Sequence, residues 1–161
     1  MKICTFAGHR EVYSEKIDEL VSSAIEELLK TDTSFLFYTG GMGEFDKKCS
    51  SVVRAAKKQH PELLIRLVLV LPYMSNKLNT DKDYYESNFD DILIPSELAD
   101  VHYKSVITER NCWMIDQSDY LIAYVRRDFG GACATMKYAK KLKKDMVNLA
   151  DEEKLDADLH I

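Results

Sequence analysis

A chain of 161 residues with 46% hydrophobic, 10% aromatic and 30% charged side chains has the length of one domain and the composition of a folded protein. It is read as a single domain over residues 1–161, which excludes a two-domain enzyme with separate cofactor and substrate halves. The net charge of −5 argues against nucleic acid and membrane surfaces as partners. No stretch reaches the ~20 apolar residues of a membrane span, and the N-terminal residues lack a secretory pattern, so a cytoplasmic location is expected. Cys4, Cys49, Cys112 and Cys133 are scattered, without metal-ligand spacing, and read as reduced, small core residues; no metal is expected.

In chain order, Ile3–Ala7 is a short apolar run that stops at Gly8-His9-Arg10, the pattern of a buried strand ending in a turn. Ser14 is a suitable N-cap, and Ile17, Leu20, Val21, Ala24, Ile25, Leu28 and Leu29 then recur on one face of a helix. Residues 35–38 form a second strand. It runs into Gly40-Gly41-Met42-Gly43, beyond which Phe45, Cys49, Val52, Val53 and Ala56 mark another helical stripe, closed by Pro61. Residues 63–71 are apolar except Arg66, which suits a strand covered on both faces and hence a parallel sheet. Residues 74–88 are polar and aperiodic and read as a long loop, a lid candidate. Residues 92–94 suggest a strand, 101–103 a short one, and 105–117 a helix. A strong strand at 120–125 leads through Arg126 and Arg127 to Gly130-Gly131, a helix to Leu142 and a last strand at 146–149. Residues 151–161 read as an irregular acidic tail or a short terminal helix. Alternating strands and helices define an α/β fold, a Rossmann-like open, mostly parallel sheet with helices on both faces.

In such sheets ligands bind at the carboxyl ends of the strands, near the switch in strand order. Three turns fall at those ends, and two of them carry paired glycines directly before a helix. Glycine lets backbone approach a ligand closely, and a helix N-terminus offers free amides and a positive dipole end to an anion. A phosphorylated ligand follows. Neither turn is a Walker loop or a complete dinucleotide fingerprint, so ordinary ATPase and NAD dehydrogenase readings weaken. Arg10 and Arg110 could clamp phosphate through a bidentate fork, or form surface salt bridges. Asp46 suits a sugar hydroxyl or the start of its own helix, and Asn111 carries the same two readings. His9 suits ligand hydrogen bonding or turn packing better than general base catalysis, since no nucleophile or orienting carboxylate stands beside it. Trp113, Tyr73, Tyr84 and Tyr85 could stack on a base or pack in the core.

The motifs Thr5-Phe6-Ala7-Gly8-His9-Arg10, Gly40-Gly41-Met42-Gly43-Glu44-Phe45-Asp46, Leu71-Pro72-Tyr73, residues 109–116 and Gly130-Gly131 together resemble the YpsA-like branch of the SLOG superfamily, which includes SMF/DprA and LOG-like proteins. The resemblance covers residues 3–149. It implies a Rossmann-like fold that binds nucleotides or nucleotide-derived ligands, with Gly40, Gly41, Gly130 and Gly131 against phosphate and ribose. It extends the ligand-binding set to Gly8, His9, Arg10, Gly43, Asp46, Arg110 and Asn111. It also implies dimers or larger assemblies. LOG-like phosphoribohydrolases carry a glutamate six residues after the second glycine of the last motif and a threonine directly after the doublet, where this chain has Lys137 and Ala132. The expectation is therefore a binding or sensing protein for a small nucleotide-related ligand, with no cofactor beyond that ligand and no catalytic residue. The alternatives are a nucleoside monophosphate hydrolase, with Glu44 or Asp46 replacing the missing carboxylate, and a DprA-like single-stranded nucleic-acid binder.

Overall fold

The computed structural model describes residues 1–159. Six strands form one parallel sheet: β1 (Lys2–Gly8), β2 (Ser34–Thr39), β3 (Leu64–Val70), β4 (Asp91–Leu93), β5 (Tyr120–Tyr124) and β6 (Asp145–Asn148), in the spatial order β4-β3-β2-β1-β5-β6. Every pairing is parallel. The chain steps outward from β1 to β4, then returns to add β5 on the other side of β1. The order therefore reverses between β1 and β5, which leaves an opening at their carboxyl ends.

The seven helices are α1 (Ile17–Leu29), α2 (Glu44–Gln59), α3 (Lys77–Thr80), α4 (Lys82–Asn88), α5 (Val106–Gln117), α6 (Gly131–Lys141) and α7 (Leu149–Leu159). On one face of the sheet, Ile17, Val21, Ile25, Leu28 and Leu29 of α1 pack with Phe45, Cys49 and Val53 of α2, Leu149 of α7 and the ring pair Phe35 and Phe37. Each fully buried aliphatic or aromatic side chain contributes about 1.5 to 3 kcal/mol, so this stripe holds α1 far more firmly than helix propensity does. On the other face, Ile115 of α5 meets Cys133, Met136 and Ala139 of α6 over Leu121 and Ala123 of β5. Three of the cysteines, Cys4, Cys49 and Cys133, are buried and Cys112 is half-buried.

Two sequence expectations are corrected, and in a third the irregular tail gives way to the terminal helix read beside it. Residues 74–88 are not a continuous loop but contain α3 and α4. These helices bury no residue, so they carry no apolar stripe for periodicity to detect, and α4 carries a Lys82–Glu86 ion pair at 3.7 Å along one face. No residue of this segment lines the cleft described below, which removes the basis for a lid. Residues 101–103 form a turn rather than a strand: His102 and Tyr103 are exposed and the Ser105 amide closes back on the His102 carbonyl at 2.9 Å. The acidic C-terminal segment is helical from Leu149 to Leu159, anchored by fully buried Leu149 and by the Tyr124 hydroxyl donating to Glu153 at 2.9 Å. Residues 160 and 161 of the expected tail lie outside the described residues. No helix among the described residues is long and apolar enough to cross a membrane.

The last residue of β1 is fixed by packing. A Cβ on Gly8 would lie 2.2 to 2.7 Å from the buried Phe45 side chain, so glycine is what lets the start of α2 seat on the end of β1. Gly8→Ala should therefore destabilise by about 1 to 3 kcal/mol, the usual cost of overpacking; urea unfolding measures it, and a loss below 0.5 kcal/mol, about the size of an ordinary surface substitution, would contradict this packing.

Candidate functional site

The opening between β1 and β5 is a cleft of about 780 Å³ lined by residues of the β1–α1 turn, the start of α2, one face of α5 and the β5–α6 turn. Of the residues singled out from sequence, Gly8, His9, Arg10, Asp46, Arg110, Asn111, Gly130 and Gly131 line it together. Gly40, Gly41 and Gly43 do not. The reason lies in the two glycine turns, which share one backbone shape and differ in what their amides meet.

Gly43 precedes α2 with φ 90° and ψ 174°, and Gly130 precedes α6 with φ 94° and ψ 176°. Both lie in a region of positive φ that side-chain-bearing residues avoid. At the first turn, however, the Gly41 amide donates to Thr39 Oγ1 at 3.2 Å, the Met42 amide to Asp46 Oδ2 at 3.1 Å and the Glu44 amide to the Arg10 carbonyl at 2.8 Å. A Cβ on Gly43 would lie 2.6 Å from Arg10 Cα. This turn is thus filled by the β1–α1 segment, which Glu44 also holds by accepting the Val12 amide at 3.1 Å. At the second turn, the amides of Gly131, Ala132 and Cys133 meet no acceptor among the described residues. A Cβ at Gly130 or Gly131 would have nothing within 4 Å. An open helix N-terminus with three uncommitted donors is a site of positive potential.

Arg110 is 2% exposed, so the surface salt bridge considered from sequence is excluded. Its Nη1 donates to the carbonyls of Gly40 at 3.3 Å and Val70 at 2.9 Å, Nε to Asn111 Oδ1 at 2.9 Å, and Nη2 reaches Met42 Sδ at 3.2 Å. Of five N–H donors, four are spent on the ends of β2 and β3, the glycine turn and Asn111, which leaves one for the cleft. The residue primarily joins strand ends. Burial lowers its pKa below the ordinary arginine value, an effect that Asp46 opposes. The Asp46 carboxyl is pushed up to about 6 by burial, against the pull of the Met42 amide and the Arg110 charge. Such a displaced carboxyl in a cleft is a common mark of a functional position.

His9 is 8% exposed, with Nε2 accepting the Arg126 amide at 2.9 Å and Nδ1 lying 3.0 Å from Arg127 Nη2. Burial and then the charges of Arg127 and Arg126 lower its pKa, so the ring is neutral at pH 7. The residue before the open turn is set by Asn148 at the end of β6: its Oδ1 accepts the Val125 amide and its Nδ2 donates to the Val125 carbonyl, each at 3.0 Å. Sequence reasoning missed the cleft residues Arg126, Arg127, Glu11, Tyr13, Tyr124 and Thr135, and the supporting role of Asn148. The arginine pair carried a usable signal, because it directly follows a strong strand at the predicted switch point. Tyr73, Tyr84, Tyr85 and Trp113 lie away from the cleft; Trp113 packs edge-on against Tyr38 and donates to Glu97. Lys137 is exposed on α6 and lines no part of the cleft, and neither does Glu44.

A six-stranded parallel sheet whose cleft opens at the switch in strand order defines a Rossmann-like α/β protein. Three solved structures share this arrangement at low sequence identity. TM1055, a structural genomics target, superposes with a TM-score of 0.58 at 14% identity, over 91% of this chain and 72% of that one. DNA processing protein A from Streptococcus pneumoniae gives 0.58 at 14%, over 90% of this chain and 49% of that one, so this chain matches about half of its length. DNA processing protein A from Helicobacter pylori, described with a single-stranded DNA binding mode, gives 0.63 at 16%, over 97% and 73%. No sequence family matches the chain, and no curated protein does. These likenesses show a shared Rossmann-like fold, the architecture that the motifs implied.

Two outcomes follow from the buried groups. Arg110→Lys should cost about 2 to 4 kcal/mol in urea unfolding, because an ammonium cannot reach four acceptors and leaves strand-end carbonyls unpaired. Asp46 binds its proton more tightly folded, at about 6, than at its ordinary 3.8. Its stabilising contribution is therefore full below about pH 4 and lost as pH rises through 6. Asp46→Asn, whose Oδ1 still accepts the Met42 amide, should gain on the wild type by on the order of 2 kcal/mol between pH 4 and 7.5. Parallel stability curves across that window would contradict the assignment.

Proposed function

We propose that the cleft binds a small nucleotide or nucleotide-derived ligand, its phosphate seated on the amides of Gly131, Ala132 and Cys133 at the start of α6. The observation that carries this reading is the contrast between two turns of the same shape, one filled by the protein's own groups and the other left open. Arg10, Arg126 and Arg127 line the same cleft and are exposed, so charge to match a phosphate is at hand despite the overall −5. Tyr13, Ile107 and Ala132 supply apolar lining for ribose or base. In this reading Gly130 and Gly131 contact the ligand, whereas Gly40, Gly41 and Gly43 support the site through Arg110 and Arg10.

The role proposed is binding or sensing rather than cleavage of the N-glycosidic bond, which needs a carboxylate beside the developing positive charge on the ribose. Lys137 stands where the resembling hydrolases carry glutamate, and Glu44, which accepts the Val12 amide, does not line the cleft. Hydrolysis is kept as a second reading by Asp46, a cleft carboxyl with a raised pKa. Binding of single-stranded DNA is kept by the fold shared with the Helicobacter pylori protein, since a phosphodiester would meet the same amides and arginines.

Thermal unfolding with AMP, GMP, CMP and UMP, their nucleosides and a short oligothymidylate separates these readings. A nucleotide at 100 times Kd should raise stability by about 2.7 kcal/mol, roughly 5 to 10 °C in Tm, with little shift from nucleosides. Gly131→Val, which projects into open space, should cost under about 1 kcal/mol of stability yet abolish that shift. Equal shifts from nucleosides and nucleotides would refute the phosphate seat, a shift from the oligonucleotide alone would favour DNA, and catalytic release of free base that disappears in Asp46→Asn would favour the hydrolase.

A further inference from the structure

His9 presents a hydrogen-bonding conflict that no arrangement of the chain's own groups resolves. A neutral imidazole has one donor and one acceptor nitrogen. Both of its nitrogens here face donors: the Arg126 amide at 2.9 Å from Nε2 and Arg127 Nη2 at 3.0 Å from Nδ1. The amide is held in place at the end of β5, whereas Arg127 is an exposed side chain. The amide therefore fixes Nε2 as the acceptor and puts the ring proton on Nδ1. Nδ1–H and the Arg127 guanidinium are then two donors that face each other beside the cleft. Tyr124 packs edge-on against the ring with centroids 6.2 Å apart, and its hydroxyl donates to Glu153. In the same conformation Arg127 lies 5.3 Å over the Phe129 ring, which supports the guanidinium beside the cleft.

We propose that His9 Nδ1–H and Arg127 together bind one anionic oxygen of the ligand, making His9 a ligand-binding residue of fixed tautomer and the cleft a site for a group with two anionic centres, of the diphosphate type. This rests on the reading of α6 as the phosphate seat, and it places a second anionic contact beside it. Both donors already stand beside the cleft, so an anionic oxygen that accepts from both as the exposed Arg127 side chain shifts replaces a donor–donor contact with two hydrogen bonds. A neutral ring suits this role, because it donates at neutral pH without a proton having to be supplied; burial and the flanking Arg126 and Arg127 charges keep it so.

The test uses inorganic pyrophosphate with 15N-labelled full-length protein. Long-range 1H–15N spectra of the free protein should show Nδ1 protonated and Nε2 as the acceptor, and pyrophosphate should move the Nδ1 resonance of His9 while those of His60 and His102 stay in place. His9→Gln sets a polar atom near the position of Nε2 and loses the Nδ1 donor; it should fold and bind pyrophosphate about tenfold more weakly, a loss of about 1.4 kcal/mol. Arg127→Ala should weaken binding similarly without changing the His9 tautomer. Pyrophosphate binding that Gly131→Val abolishes but that leaves the His9 resonances and the His9→Gln affinity unchanged would overturn this inference and leave the phosphate seat standing. A ring protonated at Nε2 would overturn it outright, and absence of any pyrophosphate binding would remove both.

Discussion

A buried arginine must spend its donors, and Arg110 spends them on the ends of β2 and β3. An ionised side chain out of water costs several kcal/mol unless it is almost fully hydrogen-bonded. The carbonyls of Gly40 and Val70, the side chain of Asn111 and the sulfur of Met42 meet that demand together. They belong to three segments distant in sequence, so satisfying one side chain fixes how α5, the β2–α2 turn and the end of β3 sit on the sheet edge. The glycine turn before α2 inherits its place from this, with a Cβ on Gly40 only 2.9 Å from the guanidinium carbon. Structural and functional readings of the same motif thereby separate: a glycine-rich turn can exist to admit an arginine as well as to admit a phosphate.

That separation explains what the sequence could and could not convey. The strands at Ile3–Ala7, 35–38 and 120–125 and the helix from Ile17 are legible because burial on one or both faces writes a strong apolar pattern, and the observed bounds lie within one residue of those read. The short helices α3 and α4 are not legible because nothing in them is buried. The edge strands β4 and β6 are short, yet their apolar residues sufficed to mark them. Fold class follows from alternation alone.

The site was legible as a set of turns but not as a division of labour among them. Gly130-Gly131 and Gly40-Gly41 look equivalent in sequence, and their helices start from glycines with the same dihedral angles. What distinguishes them is whether the neighbouring β1–α1 segment sits against the turn and takes its first helical amide, and that depends on long-range packing of Phe45 under Gly8 and of Gly43 against Arg10. Arg110 read equally well as a clamp or as a surface ion pair because periodicity places a residue on a helix face without revealing which strand ends approach it. Asn148 could not be singled out at all: its importance lies in bridging the last residues of two strands.

The central strand brings a consequence for how the protein is made. β1 pairs on one side with β2, close in sequence, and on the other with β5, where the Ile3 amide meets Asp119 across 116 residues. A ribosome delivering this chain releases β1 to β4 first, and the free edge of β1 then waits, unpaired and apolar on both faces, until β5 emerges. Non-local parallel pairings of this kind form slowly. The cleft between β1 and β5 is accordingly among the last features to exist in a newly synthesised molecule, and the interval before it closes is the period in which the nascent chain is most exposed to aggregation.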